Sequence, residues 1–500
     1  MRSTAILWVG FYFCSLCATG QDNPKDYASL ITADELKDKL DIIAADALEG
    51  RETGTRGQKM AAAFIRYHFE EIGLKPPVNG SFYQHFALYQ TIAGEAYLKA
   101  GGVSFRNFQD VVYYGKDSSD GEVELNVLFA GKGRAEDYAH LDVSGKGVLI
   151  SLPNEGNYRQ AISIARSKNV AMLLILNTQT GEEFKEYARN LESFLSEGAL
   201  SLKKPQNEDA GGGVFFVSPL AAAKIFNTSV EKLLAAAAED PQKNLLKKIS
   251  AGKIQYRTTS EIRTVKTENV LGYLEGTDKK DEVIVITAHY DHIGKSSRGQ
   301  GDRINNGADD DGSGTVTVLQ LAKAFAQAKQ DGKGPRRSIL FMTVAGEENG
   351  LLGSEYYTQF PVFPLSKTVV NLNLDMVGRR DEQHRESPPY VYVIGADKLS
   401  SALHAVSESV NKKYTNLIFD YTYNDENHPA RLYYRSDHWN FAEKNIPIIF
   451  YFDGIHEDYH MPSDEVDKIE FDLLTARAKC VFFTAWEIAN REERIKPDAK

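Results

Sequence analysis

Between Glu282 and Gly454 the chain alternates two textures. Short, nearly continuous apolar runs recur, "EVIVITAHYDH", "RRSILFMTVAGEE", "TVVNLNLDMVG" and "NIPIIFYFDG". Between them lie "TVTVLQLAKAFAQAKQ", "GLLGSEYYTQF" and "SSALHAVSESVNKKY", where apolar residues return at helical spacing. The runs predict strands buried on both faces, and the spacers predict helices. Strands separated by helices predict an α/β fold with a mostly parallel, mixed central sheet flanked by helices.

Upstream, Ala62, Ile65, Phe69 and Ile72 recur at helical spacing, Gly73 can end that helix, and Pro76-Pro77 break the chain. From about Asn107 to Phe226 the texture becomes short alternating strands, "GEVELNVLFAG" and "GKGVLISLP", then a helix-like "NYRQAISIARSKN" and an apolar "VAMLLILN". The stretch "VEKLLAAAAEDPQKNLLKKISAG" reads as a helical return connection. These shifts divide the chain into 21–106, the first part of a catalytic domain; 107–250, an inserted α+β or β-rich module; and 251–500, the main part. A length of 500 residues agrees with more than one domain.

The first 20 residues, "MRSTAILWVGFYFCSLCATG", place one arginine before an apolar run from Ala5 to Leu16, then small residues ending at Ala18-Thr19-Gly20. That pattern predicts a cleaved signal peptide over 1–20 and an exported protein, periplasmic or extracellular. The run falls short of the ~20 apolar residues a span needs, and no other stretch is long enough, so no membrane span is expected after cleavage. Cys14 and Cys17 fall in the removed segment, which leaves Cys480 alone, in a helical pattern, as a core residue. A net charge of −11 with no basic stripe argues against nucleic acid as a partner. Oligomeric state is not legible.

Candidate chemistry sits at the carboxyl ends of the predicted strands, where open α/β sheets form their crevice. His289 and Asp291 end the first. "GADDDGSG" (307–314) follows it, Glu347-Glu348 end the second, Asp375 ends the third, and His460 follows the fourth in "HEDYHMPSD". Imidazole and carboxylate donors suit zinc, and a pair of metals needs a bridging carboxylate and a bridging water or hydroxide. Two Zn²⁺ ions would be balanced by three carboxylates and one hydroxide. Which of Asp309, Asp310 and Asp311 touches a cation is left open by the spacing alone.

"AHYDH", "GADDDGSG", "AGEENGLLGS", "NLDMVG" and "DYHMPSD", in this order, resemble the secreted zinc aminopeptidases of the bacterial leucyl aminopeptidase type, relatives of glutamate carboxypeptidase and glutaminyl cyclase. The resemblance implies a zinc-exopeptidase (phosphorylase/hydrolase-like) fold, peptide substrates, and a protease-associated-like domain as the insertion. Carried over by position, it implies that His289 and Asp375 bind one zinc ion, that Glu348 and His460 bind the other, and that Asp310 bridges both, with a cis peptide at Asp310–Asp311. It implies Asp291 beside His289, holding the imidazole tautomer, and Glu347 as the general base. "RSDHWNF" resembles the segment lining the family's site, which makes Tyr433, with Tyr434 close behind, the oxyanion candidate and Ser436 and Asp437 substrate candidates. Tyr434-Arg435 depart from the family's smaller residues there. His292 is expected in the loop or behind the ligands, and His384 and the run "DEQHRE" on the surface. The expected activity is aminopeptidase. The alternatives are a carboxypeptidase or dipeptidase of the same fold, since Arg379, Arg380 and Arg435 could read a carboxylate. A glutaminyl cyclase, whose loop lacks the DDDxSG pattern, and an inactive binding protein, which would lose ligands, fit less well.

Overall fold

The computed structural model describes residues 23–498, apart from 116–117, 154–157, 205–212, 239–248, 297–300 and 426. The expected signal peptide lies outside these residues, as does much of the expected return helix after Ala238.

In chain order the strands are β1 (Tyr83–Ala100), β2 (Val103–Arg106), β3 (Val111–Tyr114), β4 (Val123–Phe129) and β5 (Gly147–Ser151). Next come β6 (Met172–Leu176), β7 (Ala199–Ser201), β8 (Val214–Val217), β9 (Gly252–Leu274) and β10 (Lys279–His289). The last five are β11 (Arg337–Val344), β12 (Thr368–Leu374), β13 (Tyr390–Ile394), β14 (Ile418–Asp420) and β15 (Ile448–Phe452).

The central order is β14-β13-β15-β12-β10-β11-β9. Strands β10, β11, β12 and β15 run parallel, while β9 joins β11 and β13 joins β15 antiparallel, so the sheet is mixed. β11, β12 and β15 are buried along their whole length, as apolar runs without a polar face require. Helices Ala33–Ile43, Arg56–Glu71, Gly314–Gln330, Ser401–Tyr414 and Phe471–Asn490 fill one face. Leu352–Gln359 and His438–Ala442 pack on the other. Cys480 is wholly buried in the first core. Among the described residues no helix is long and apolar enough to cross a membrane.

β1 and β9 were not legible as strands. They pair antiparallel from Tyr83↔Val270 to Lys99↔Gln255 and form a long arm between the two parts of the molecule. One end of β9 pairs with β11, the other with β4, so one sheet runs through both parts. The middle of β9 is exposed, and its "TTSEIRTVKT" reads as a polar connection when taken alone. The inserted elements are also more helical than their sequence texture suggests. β4, β5, β6 and β8 are parallel, and helices Arg159–Ser167 and Gly181–Glu197 accompany them. The second starts at a legible signal: Thr180 accepts from the Glu183 N–H, and the Glu183 carboxylate accepts from the Thr180 N–H.

Candidate metal centre

The strand ends of the central sheet bring the acids and imidazoles into one cluster. His289 ends β10 and Asp375 directly follows β12. His289 Nε2 lies 3.2 Å from Asp310 Oδ1, 3.6 Å from Asp375 Oδ1 and 3.9 Å from Glu347 Oε2. His460 Nε2 lies 3.1 Å from Asp310 Oδ2 and 3.1 Å from Glu348 Oε2. Donors bound tetrahedrally to one zinc at about 2.0–2.1 Å stand about 3.3 Å apart. The His289 and His460 contacts are of about that length, and they share the Asp310 carboxylate, one oxygen facing each imidazole. His289 Nε2, His460 Nε2 and Asp310 Oδ2 have no hydrogen-bond partner although buried, the state of ligand atoms aimed at a cation rather than at protein. The residues present therefore fit zinc.

By proximity, Glu347 also joins His289 and Asp375, and His292 joins Asp310 and Glu348. The distances separate the two histidines. His292 Nδ1 is 2.7 Å from Glu348 Oε1, a hydrogen bond and shorter than a tetrahedral edge, and 3.8 Å from Asp310 Oδ2. His292 is wholly buried and holds the Glu348 carboxylate from behind.

The three adjacent aspartates are all buried and point three ways. Asp309 accepts from the Gly378 N–H at 2.7 Å and faces His456 Nε2 at 3.2 Å. Asp311 accepts from the N–H groups of His289 (3.0 Å), Gly314 (3.0 Å) and Met376 (3.1 Å). That ties the β10 end, the helix start and the β12 end together and leaves Asp310 facing the cluster. The Asp310–Asp311 peptide is cis. Asp464 accepts from the N–H groups of Asp309 and Asp310 at 3.1 Å. Behind the loop, the buried Arg51 guanidinium donates to the carbonyls of Tyr290, Ile43, Asn306 and Gly307. This positive group beneath the acids had no recognisable signal in "EGRETG".

Asp291 departs from its expected role. His289 Nδ1 donates to the Asp291 backbone carbonyl at 3.0 Å, and the carboxylate stands off at 3.9 Å. That bond fixes the Nδ1–H tautomer and turns the Nε2 lone pair to the cluster. The carboxylate instead accepts from Thr53 Oγ1 (2.6 Å) and the Glu347 N–H (3.3 Å).

Ser436 and Asp437 are corrected as substrate-contact candidates. Both are buried, at 1% and 0% exposure. Ser436 Oγ donates to Asp375 Oδ2 at 2.6 Å and accepts from Asn373 Nδ2 at 2.9 Å, while Thr287 Oγ1 donates to Asn373 Oδ1. This chain orients Asp375. Asp437 accepts from Ser354. Tyr433 packs its ring on His438 and Trp439, and the pocket beside the cluster is lined by Tyr459 instead. His438 Nε2 donates to the Tyr433 carbonyl at 2.8 Å. Glu382, Gln383, Arg385 and Glu386 of "DEQHRE" are exposed as expected, while Asp381 is buried and His384 half-buried. His384 stacks on Tyr390 at 3.7 Å and lies 2.8 Å from Asp381 and 3.3 Å from Asp420.

Electrostatics follow from burial and crowding. Burial pushes Glu347 well above the usual carboxylate range, and Asp375 and Glu348 add to it. Burial opposes protonation of His289 and His460. The nearby charges of Glu347 and Asp375 nevertheless raise His289, and the Asp310 and Glu348 carboxylates 3.1 Å away raise His460 to about 10. Asp310 is held well below its ordinary value by His289 and His460 despite burial. So many buried acids require a compensating cation or protons.

A mixed sheet flanked by helices is also the fold of aminopeptidases of known structure. The aminopeptidase from Aneurinibacillus sp. strain AM-1 superposes with TM-score 0.55 at 18% identity, covering 95% of this chain and 97% of that one. A zinc aminopeptidase from Bacillus subtilis gives 0.54 at 19% identity, covering 94% and 99%. Residues 269–485 match the model of Peptidase family M28. Aminopeptidase YwaD of Bacillus subtilis is 27% identical over 238 residues, 46% of this chain and 46% of the relative. A probable leucine aminopeptidase of Arthroderma otae is 29% identical over 247 residues, 48% and 62% respectively. The chain thus spans about half the length of the curated relatives it matches.

Proposed function

We propose that this chain is an exported zinc aminopeptidase that removes N-terminal residues from peptides, with two zinc ions per chain. The Asp310 carboxylate facing His289 with one oxygen and His460 with the other carries this reading. His289 and Asp375 would hold one ion, Glu348 and His460 the other, with Asp310 shared between them. Bound zinc supplies a water acidified toward neutrality and a polarised carbonyl. Glu347, the donor farthest from His289 Nε2, takes the water's proton on its carboxylate and hands it to the leaving amine. Its backbone is pinned for this by the Asp291 carboxylate. Ser436 and His292 orient Asp375 and Glu348. The "CSLCATG" end of the first 20 residues supports export. The test is turnover of a broad aminoacyl p-nitroanilide panel by zinc-loaded protein, with loss on chelation. No turnover on any member would sink the reading.

Carboxypeptidase action is less well supported. Arg379 donates to Asp458 at 3.0 Å and Arg380 to Glu470 at 2.9 Å, so neither is free for a terminal carboxylate. Blocking each peptide terminus in turn separates the two activities. A glutaminyl cyclase would bind one zinc per chain, which metal counting tests. The complete donor set argues against an inactive binding protein.

A further inference from the structure

The pocket beside the acid cluster has a feature that metal chemistry does not require. Asp310, Glu347 and Asp375 form its floor. Met376, Leu432, Phe450, Phe452 and Ile455 form apolar walls, and Tyr459 and Arg435 complete it. Without Arg435 these walls would suit a leucine-like or phenylalanine-like side chain.

Arg435 differs from its neighbours. Arg379 and Arg380 are paired with carboxylates, and Arg431 lies over the Tyr434 ring. The Arg435 side chain has no hydrogen-bond or ion-pair partner among the described residues. Its backbone is well held. Its N–H donates to the Leu432 carbonyl at 3.0 Å, and the next residue, Ser436, is bonded to Asp375 at 2.6 Å. An exposed arginine with no partner among the described residues thus lines the pocket beside Asp310, Glu347 and Asp375 and its apolar walls. With two cations balanced by Asp310, Asp375, Glu348 and a hydroxide, the floor keeps the Glu347 carboxylate, and Arg435 is the pocket's unpaired positive charge for an anion.

The Glu347 carboxylate left at the floor attracts a terminal amine and repels a terminal carboxylate. The residue whose carbonyl lies over the cluster is therefore the first of its peptide, and its side chain enters the pocket. We propose that this pocket selects an acidic N-terminal side chain, glutamyl ahead of aspartyl, with the apolar walls covering the methylenes and Arg435 taking the side-chain carboxylate. This rests on the aminopeptidase reading above.

Glutamyl and glutaminyl p-nitroanilides differ only in that charge, so their ratio of kcat/KM on the zinc-loaded full chain isolates it. One charge-assisted hydrogen bond predicts a preference of about 10- to 100-fold for glutamyl. Arg435→Met should remove that ratio, and Arg435→Glu should turn the preference toward lysyl. Calorimetry with free L-glutamate and L-glutamine gives the same comparison without turnover, and the two amino acids share the same α-carboxylate. Equal binding of the two, or a ratio untouched by Arg435→Met, overturns the proposal even while leucyl substrate is cleaved. Faster turnover of phenylalanyl substrate that falls with Arg435→Met overturns it too, because the guanidinium then stacks on a ring. Failure to cleave any substrate with a free amine, with cleavage of N-blocked peptides, overturns the aminopeptidase reading itself and this proposal with it.

Discussion

The central sheet and the inserted module both end parallel strands on a loop-lined edge, and they fill those ends differently. The central strands end in His289, Glu347, Glu348 and Asp375. The module's β5, β6 and β8 end in Ser151, Asn177-Thr178 and Ser218, buried but neutral. Among the described residues, groups that could hold a metal occur only in the central part. Neutral hydroxyls and amides are poor partners for zinc, whereas clustered acids are too costly to bury without a cation. One architecture therefore carries chemistry at one end of the molecule and packing at the other.

The sharpest way to break this contrast is Asp310→Asn. It should abolish turnover and reduce bound zinc, measured by metal analysis of the purified variant. Asp309→Asn keeps an acceptor for the Gly378 N–H and should cost about 10- to 100-fold in activity. Comparable losses from both would refute the assignment of the bridge. Glu347→Gln should lower kcat by about 10²- to 10⁴-fold with zinc content intact. A variant that loses metal instead would make Glu347 a ligand. Ser436→Ala frees Asp375 from its hydrogen bond, and zinc affinity or activity should fall by about 10- to 100-fold, read by chelator competition. No change would deny the Ser436–Asp375 coupling.

Acid should act on the central part before the module. His68 is lowered to about 4 from its ordinary 6.5, first by burial and then by Lys39 and Lys323. It is neutral when folded and gains a proton more readily when unfolded. Its stabilising share is complete above pH 6.5 and is lost as pH falls toward 4, on the order of 2–3 kcal/mol. His438, lowered to about 3 by burial, adds in the same direction. The module's single histidine, His140, is exposed. Urea midpoints of metal-free protein across this pH range should fall less steeply in His68→Gln, and an unchanged slope would discount His68. Smallest of all, Asp137→Asn in the module removes a buried carboxylate that accepts from the Arg134 N–H and guanidinium. It should cost about 1 kcal/mol of stability and leave turnover unchanged. A loss of activity there would mean that the module reaches the site.

The central part was legible because its signals are local. Uninterrupted apolar runs mark β11, β12 and β15, and acids at their ends mark the crevice. The β1–β9 arm was not legible, because an exposed antiparallel pair needs only its partner's backbone, and "TTSEIRTVKT" has no apolar run. Hydrogen-bond roles were equally hidden. Sequence adjacency suggested Ser436 and Asp437 for substrate, but their side chains turn inward to Asp375 and Ser354. Spacing put Asp291 beside His289 without saying that its carbonyl, not its carboxylate, would meet the ring. Residue types and their order along the chain determined the class of fold and the donor set, since burial pattern and metal preference are properties of the residues themselves. Only the tertiary structure decided which oxygen of which aspartate faces each imidazole, and which arginine is left unpaired, because those depend on distances between segments that the chain order does not contain.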